Sequence, residues 1–526
     1  MEQKQADLII LGGGMGGCAA AMAAAKAGLR VILTEETDWL GGQLTSQAVP
    51  PDEHQWIERF GCTARYREFR ERVRAYYRAN FDLNGKARGE VLLNPGNGWV
   101  SRLAHEPKAA LRVLEDMMAP YVHGGRIEVL YHTVPADCET FGDEVRSVIV
   151  EQRSSGRRML LTGKFFLDAT ECGDLLPLAG IEHVMGGESK EQTGEPHALD
   201  VADPLDMQSI THVAAVDYVP GGQFTIEKPA MYEEWKRYMP AFSTYPILSW
   251  HCMDPDDMTK LKTYTMFPNE EGVISLWDYR RIFDPANLND PSLYDGEVTL
   301  LNWPQNDYFA GPIYGVDRET GQKNLEAARQ LSLSLVYWLQ TEAPRLDGGF
   351  GYPGVRLRGD VLGTNDGLAK APYIRESRRI KAVYTVTEGD VSKDIRGAEG
   401  TKRYHDSVGV GSYHLDLHPT TVSQRGFYIP STPYEIPLGA LLPVRVTNVL
   451  PACKNIGTTQ ITNGCYRLHP TEWNIGESAG LLAAYALRQG VTPHEVRDQP
   501  ERLREFQAML VSEGVELHWP KEAEMG

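Results

Sequence analysis

Unbroken apolar runs of strand length alternate with helical patterning at both ends of this chain, most sharply at its start. Leu8-Ile9-Ile10-Leu11 is apolar throughout, and the turn Gly12-Gly13-Gly14-Met15-Gly16-Gly17 follows. An alanine-rich stretch then reaches Ala27, and Val31-Ile32-Leu33 leads to an acid at Glu35. An apolar run bounded by turn residues marks a strand covered on both faces, which predicts strand, helix and parallel strand in that order. A charged helix rich in arginine is predicted from about Tyr66 to Asn80, its arginines on a solvated face. Pro107 to Met118 has helical periodicity with proline in the first turn, and His105 and Glu106 read as its cap. Ile127 to Leu130 predicts the next strand of a parallel sheet. Val145 to Gln152 and Arg158 to Gly163 alternate around Ser154-Ser155-Gly156, a hairpin pattern. Phe165 to Thr170 reads as a further apolar strand running into Glu171-Cys172-Gly173-Asp174.

From about Gly186 to Thr432 the pattern loosens into aromatics, prolines and short strands, the signature of an inserted lobe. The earlier pattern resumes with Asn448-Val449-Leu450 and a helix from about Pro470 to Leu487. A domain that starts, breaks and returns is discontinuous. The expected division is 1–185 with 433–490, an inserted lobe over 186–432, and a helical tail over 491–526.

Composition narrows the class. With 526 residues, 42% hydrophobic and 24% charged, the chain reads as an ordinary soluble protein of two or three lobes. A net charge of −18 argues against nucleic acid and anionic membrane surfaces as partners. The seven cysteines contain no CxxC pair, so neither a disulfide framework nor a structural zinc site is indicated. Cys18 and Cys172 read as small packing residues. No signal-peptide region precedes the first strand, and the apolar stretches at 19–27 and 478–487 are too short to span a bilayer, so the expected location is cytoplasmic.

The opening unit carries chemistry. Gly12 permits a tight turn, Gly14 lets backbone N–H groups approach a pyrophosphate, and Gly17 lets helix and strand pack closely. The helix N-terminus favours the phosphate, and Glu35 is placed to accept from a ribose diol. The bare spacing is not enough. Gly349-Phe350-Gly351-Tyr352-Pro353-Gly354 also fits GxGxxG, yet no apolar strand precedes it and proline interrupts it, so it reads as a loop.

Three separated segments resemble one family: Gly12 to Glu35 with Gly41-Gly42-Gln43-Leu44-Thr45, Leu167 to Thr170 with Gly173-Asp174, and Tyr434-Glu435-Ile436-Pro437 through to Asn474–Gly480. Arg375 to Arg379 and Tyr413 to His418 add to the likeness. The chain resembles FAD-dependent oxidoreductases of the glutathione-reductase-like, two-dinucleotide-binding superfamily, in particular their bacterial branch. The fold this implies is α/β: a Rossmann-like FAD-binding domain of parallel sheet, β-meander and helices, carrying an inserted mixed α/β substrate lobe. The resemblance implies FAD contacts at Gly12, Gly14, Met15, Gly16, Gly17, Glu35, Glu36, Gly41, Gly42, Gln43 and Thr45. It implies further contacts at Val134, Ala169, Thr170, Asp174, Asn455, Thr471, Asn474 and Ile475, with the helix opening near Thr471 aimed at the flavin pyrimidine edge. Cys453-Lys454 departs from the glycine-basic pair that such relatives carry near the ribitol. No second strand-glycine-helix unit appears, so electrons are expected to leave to an external acceptor such as oxygen or a quinone.

His414, Asp416 and His418 alternate on what reads as a strand and would share a face. That face can handle a substrate proton beside the flavin, satisfy a structural strand, or hold a metal, for which no further ligand cluster is evident; no metal is expected. Arg375 and Arg378 are candidates for a substrate carboxylate or phosphate, or they lie on a helix surface or bridge lobes. Trp99, Trp250, Trp303 and Trp473 read as core or pocket wall. The expected reaction moves a hydride from a C–H of a small polar metabolite to flavin N5. Alternatives are a flavin monooxygenase with an external reductant and a non-catalytic flavin-binding assembly subunit; a homo-oligomer is compatible with either.

Overall fold

A computed structural model describes residues 1–254, 257, 260–269 and 273–524. The chain opens with β1 (Glu2–Gln5), a strand ahead of the apolar run where none was expected. Then come β2 (Leu8–Leu11), α1 (Met15–Lys26), β3 (Val31–Thr34), α2 (Ala64–Asn80), α3 (Pro107–His123) and β4 (Ile127–Leu130). All four residues of β2 are buried, as a two-faced apolar run requires. β5 (Thr133–Phe141), β6 (Glu144–Gln152) and β7 (Arg157–Thr162) form the meander, with β1 parallel to β7 at its edge. β8 (Phe165–Asp168) returns to pair with β2. Ile9 and Leu11 pack toward the meander, Leu8 and Ile10 toward the helices, so β2 alternates between two cores.

Two expectations fail on this half. The arginines of α2 are not a solvated face. Arg65, Arg70 and Arg74 are buried, and Arg70 reaches Glu53 at 2.8 Å and Glu58 at 2.6 Å, while Arg74 reaches Glu58 at 2.6 Å. Burial alone would raise the Glu58 carboxyl, but Arg70 and Arg74 outweigh it and pull it down to about 2. The other failure is the cap of α3. Glu106 occupies the N-cap position without a side-chain bond to the helix, and the Tyr77 hydroxyl takes its backbone N–H at 2.9 Å.

In the middle of the chain, β9 (Ala214–Tyr218), β10 (Arg281–Phe283), β11 (Val298–Leu301) and β12 (Val355–Leu357) make an antiparallel sheet in the order β10-β11-β9-β12. Between β11 and β12 runs α4 (Arg318–Thr341), capped by Asp317, whose carboxylate accepts from the Thr320 N–H. The sequence reading missed α4 because its first half is polar; Leu331, Leu335 and Leu339 bury its second half. Residues 349–354 form the expected loop.

The chain then passes through β13 (Leu415–Leu417), β14 (Phe427–Ile429) and β15 (Val449–Pro451) into α5 (His469–Gln489). β15 pairs in parallel with β8, completing a five-stranded sheet in the order β15-β8-β2-β3-β4. The last major helix is Pro500–Ser512. Among the described residues no helix is long and apolar enough to cross a membrane.

α1 and α5 cross backbone to backbone. A Cβ built on Gly476 would stand 2.0 Å from the Gly16 carbonyl oxygen, and one on Gly480 2.4 Å from that of Ala20. A Cβ on Gly16 would stand 1.9 Å from the Ala452 carbonyl oxygen. Gly476→Ala is therefore expected to cost about 1–3 kcal/mol, because overpacking against rigid backbone outweighs the roughly 0.5–1 kcal/mol of helix preference that alanine gains. Urea denaturation measures it; an unchanged or raised midpoint contradicts the crossing.

Candidate functional site

The first part of the site is the glycine turn between β2 and α1. Gly12 has φ +102°, and a Cβ there would lie 2.2 Å from the Ala169 carbonyl oxygen, so only glycine fits. Gly14 is the N-cap of α1, and no side chain caps the helix, leaving its first N–H groups for an outside acceptor. Gly17 meets the Gly12 carbonyl, the close packing expected of it. Gly41 and Gly42 both have positive φ, and the Gly41 N–H donates to the Gly13 carbonyl at 2.8 Å, bringing the second glycine loop against the first.

Glu35 follows β3 directly and is buried. The Thr37 N–H and hydroxyl donate to its Oε1 at 2.8 and 2.6 Å, both on the same oxygen. Burial first, then the neighbouring Glu36 carboxylate, pushes Glu35 up to about 8. A carboxylate this short of donors suits a ribose diol. Glu36 turns outward to Arg153 at 3.1 Å. Val134 lies half-buried beside Thr133, whose N–H donates to the Glu35 carbonyl at 2.8 Å.

Other expected contacts hold the walls by internal bonds. Thr170 donates its hydroxyl to Asp168 at 2.7 Å and accepts from the Asp174 N–H at 2.7 Å, fixing the turn that carries Ala169. Thr45 donates to the Leu40 carbonyl at 2.5 Å. Asn455 donates to the Asp168 carbonyl at 3.0 Å, Asn474 to that of Val408 at 3.2 Å, and Thr471 lies 3.2 Å from the Tyr434 hydroxyl. Met15 and Ile475 are core residues.

One group was missed by sequence reading. Cβ atoms built on Gly14 and Gly42 would lie 3.0 and 3.1 Å from the same oxygen, Glu171 Oε1. Glu171 is paired with Lys454, a fully buried ammonium also 3.9 Å from Glu472. Burial opposes the Lys454 charge, but Glu171 and Glu472 raise its pKa; burial pushes Glu472 up to about 7. Cys453, where a glycine is expected, is buried with its thiol near the Thr170 carbonyl and Asn455. An uncapped helix start, converging glycines, an under-served acid and a buried cation fit a dinucleotide.

The second part is a cavity of about 380 Å³. Three arginine–aspartate pairs line it: Arg280–Asp52 at 3.4 Å, Arg375–Asp307 at 2.9 Å and Arg467–Asp416 at 3.0 Å. His418 bridges two of them, Nδ1 at 2.6 Å from Asp307 and Nε2 at 3.4 Å from Asp416. Burial would raise both acids. Arg375 and then His418 outweigh it at Asp307, which falls to about 2; His418 and Arg467 hold Asp416 well below the carboxylate range. The Nε–H groups of Arg280, Arg375 and Arg467 and the side-chain amide nitrogen of Asn302 are buried without an acceptor among the described residues. Gln43 ties the two parts together, donating to Glu472 at 2.8 Å and to the Arg467 carbonyl at 3.0 Å.

The cavity gathers Asp416, His418 and Arg375 but not all their expected companions. His414 does not line it and stacks on Tyr428, ring centroids 4.2 Å apart. The strand is only three residues long, so the residue before it leaves the shared face. Arg378 is also elsewhere, 3.2 Å from Asp174 and 2.8 Å from the Cys172 carbonyl. A spacing of three would align Arg375 and Arg378 on a helix, but this segment is extended, with strands at Tyr373–Ile374 and Arg379–Ile380. Arg280, Arg467, Asp52 and Asp307 were missed: they lie far apart in sequence and share no spaced motif, and only Arg467, next to the start of α5, carried a positional hint. Trp250 and Trp473 are core; Trp99 and Trp303 line the cavity. No group of three or more metal-ligating side chains occurs among the described residues.

A family profile described as FAD dependent oxidoreductase matches residues 7–510. No curated protein matches the chain. Similar solved structures include Mycobacterium smegmatis Sdh1 in complex with UQ1, 13% identical over 97% of this chain and 76% of that one, TM-score 0.31. A variant of E. coli quinol fumarate reductase FrdA is 10% identical over 97% and 74%, TM-score 0.32. L-proline dehydrogenase from P. horikoshii is 15% identical over 36% of this chain, TM-score 0.18, and the match spans only 24% of that protein.

Measured above pH 8, where its carboxyl is ionised, Glu35→Gln is expected to weaken FAD binding roughly ten- to hundredfold, the loss of a charged acceptor. The folded pKa of Glu35 lies above its ordinary 4.5, so the apoprotein loses stability as pH rises from 4.5 to about 8. The variant should lessen that loss. Calorimetric titration and pH-dependent melting check both; unchanged FAD affinity contradicts the assignment.

Proposed function

The chain belongs to the FAD dependent oxidoreductase family, and from that premise we propose that it oxidises a hydroxy- or amino-carboxylate held in the arginine cavity. FAD, when bound, supplies two-electron acceptance and passes the electrons to an external acceptor such as oxygen or a quinone. In this reading residues 1–185 and 433–490 hold the cofactor and 186–432 supply most of the substrate walls.

What supports the reading is the set of three buried arginines whose Nε–H donors have no acceptor among the described residues. Buried donors left unpaired are costly, and a substrate carboxylate satisfies them. Arg280 is the freest of the three, since its one aspartate contact is long at 3.4 Å. Arg375 is braced by the Ser209 carbonyl, the Thr211 hydroxyl and Asp307; Arg467 is braced by the Tyr373 hydroxyl and Asp416. These two shape the floor while Arg280 receives the ligand.

His418 takes the substrate hydroxyl or amine proton as the C–H bond breaks and the hydride leaves carbon. Asp307 at 2.6 Å fixes the ring, and the imidazole is 28% exposed, enough to meet a ligand. Asp416, 3.4 Å from Nε2, is paired with Arg467 and leaves that nitrogen to take the substrate proton.

Anaerobic mixing of holoenzyme with hydroxy and amino acids should bleach the flavin absorbance. His418→Asn should slow bleaching roughly 10²–10⁴-fold with FAD content unchanged. Bleaching by neutral alcohols but by no carboxylate, or an unaffected rate in the variant, contradicts the proposal.

A further inference from the structure

The arginine floor is only one end of the cavity. Arg280 lies over the ring of Tyr279, its guanidinium carbon 5.1 Å from the ring centroid. Tyr279 meets Trp99 edge to face, centroids 4.7 Å apart at 65°. Trp99 is 57% exposed whereas the Arg280 side chain is 9% exposed, so this ladder climbs from the charged floor to solvent. Further lining is apolar: Phe242, Ile247, Leu276 and Phe309 border the same cavity, with Phe242 and Phe309 centroids 5.9 Å apart.

An exposed tryptophan is commonplace, but this one is held in place. Its backbone N–H donates to the Asp278 carbonyl at 3.2 Å, and the Val100 backbone N–H donates to that of Tyr279 at 3.2 Å. The 99–100 segment is thus laced to the residues that lead into β10 and present Arg280. A fixed aromatic wall beside a fixed cation is preorganised for a ligand that has both characters. The volume, about 380 Å³, falls in the range of roughly 300–1,000 Å³ that houses drug-sized ligands. A small hydroxylated metabolite would fill the arginine end and leave the aromatic wall in water.

We infer that the substrate is an amphipathic carboxylate, its carboxylate at Arg280 and an apolar tail, aryl ahead of alkyl, laid along Tyr279 and Trp99 toward the mouth. The inference rests on the anionic-substrate reading above, and it replaces the small polar metabolite expected from sequence with a larger ligand.

The test is equilibrium binding of unreactive probes to oxidised holoenzyme, followed by flavin difference spectra and calorimetry. The probes are acetate, phenylacetate, 3-phenylpropanoate and uncharged phenylacetamide. Burial of a phenyl ring should make phenylacetate bind at least about tenfold tighter than acetate. Trp99→Ala should weaken phenylacetate roughly fivefold or more and leave acetate within about twofold, and Phe242→Ala should act in the same direction. Arg280→Gln should weaken both acids. Equal affinities for acetate and phenylacetate, or no effect of either aromatic truncation, overturns the tail contact. Phenylacetamide binding as tightly as phenylacetate instead overturns the anionic reading beneath it, and the two failures are told apart by which probe pair converges.

Discussion

The structure depends on a contact in which backbone meets backbone: α1 against α5. Any side chain at Gly476 or Gly480 would strike the carbonyl of Gly16 or Ala20. Dispersion and close packing reward such an approach only if the small residues stand in register on both helices. The crossing joins residues some 460 positions apart and fixes two helix starts with it. One start faces the glycine turn; the other follows directly on Arg467, which lines the cavity. Without the crossing, the cradle and the cavity would have no fixed relation.

Charge is then arranged around that frame at some cost. Arg280, Arg375 and Arg467 with Asp52, Asp307 and Asp416 place six ionised groups around one cavity. Buried ion pairs of this kind seldom stabilise a fold relative to well-packed apolar side chains. Their value lies in orientation: each aspartate fixes an arginine or His418 while spare N–H groups stay directed at whatever enters. The same logic applies at Lys454, whose pairing with Glu171 keeps a cation buried beside the glycines. The family membership supplies the redox cofactor; the arginine cavity supplies the case for what is oxidised.

The sequence made the parallel sheet legible because β2, β3 and β8 are apolar on both faces and glycines punctuate them. The β6–β7 hairpin and the returning helix α5 were legible through periodicity bounded by clear stops, whereas β5 was not read from the pattern. It was silent about β1, which has a polar sequence and forms only because the edge of β7 is available. It misjudged the α2 arginines because a charge run looks solvated until its carboxylates, Glu53 and Glu58, are seen to fold over it. At the site, His418 and Asp416 were visible as an alternating strand, and Arg375 as part of a basic run. Arg280, Asp52 and Asp307 were invisible, since they come from separate segments whose meeting is tertiary. His414 and Arg378 went astray where local spacing was read without knowing where the short strand ends or that the segment is extended.

A crystal structure of the FAD-loaded protein is the most direct measurement of the central claim, that one crossing of helices sets the dinucleotide against the arginine cavity. The account predicts adenosine density at Glu35, diphosphate density over Gly12 to Gly14, and the flavin ring closing the cavity on the side of Gln43 and Arg467. Density that leaves Glu35 unbonded, or a flavin ring directed away from that cavity, would contradict it.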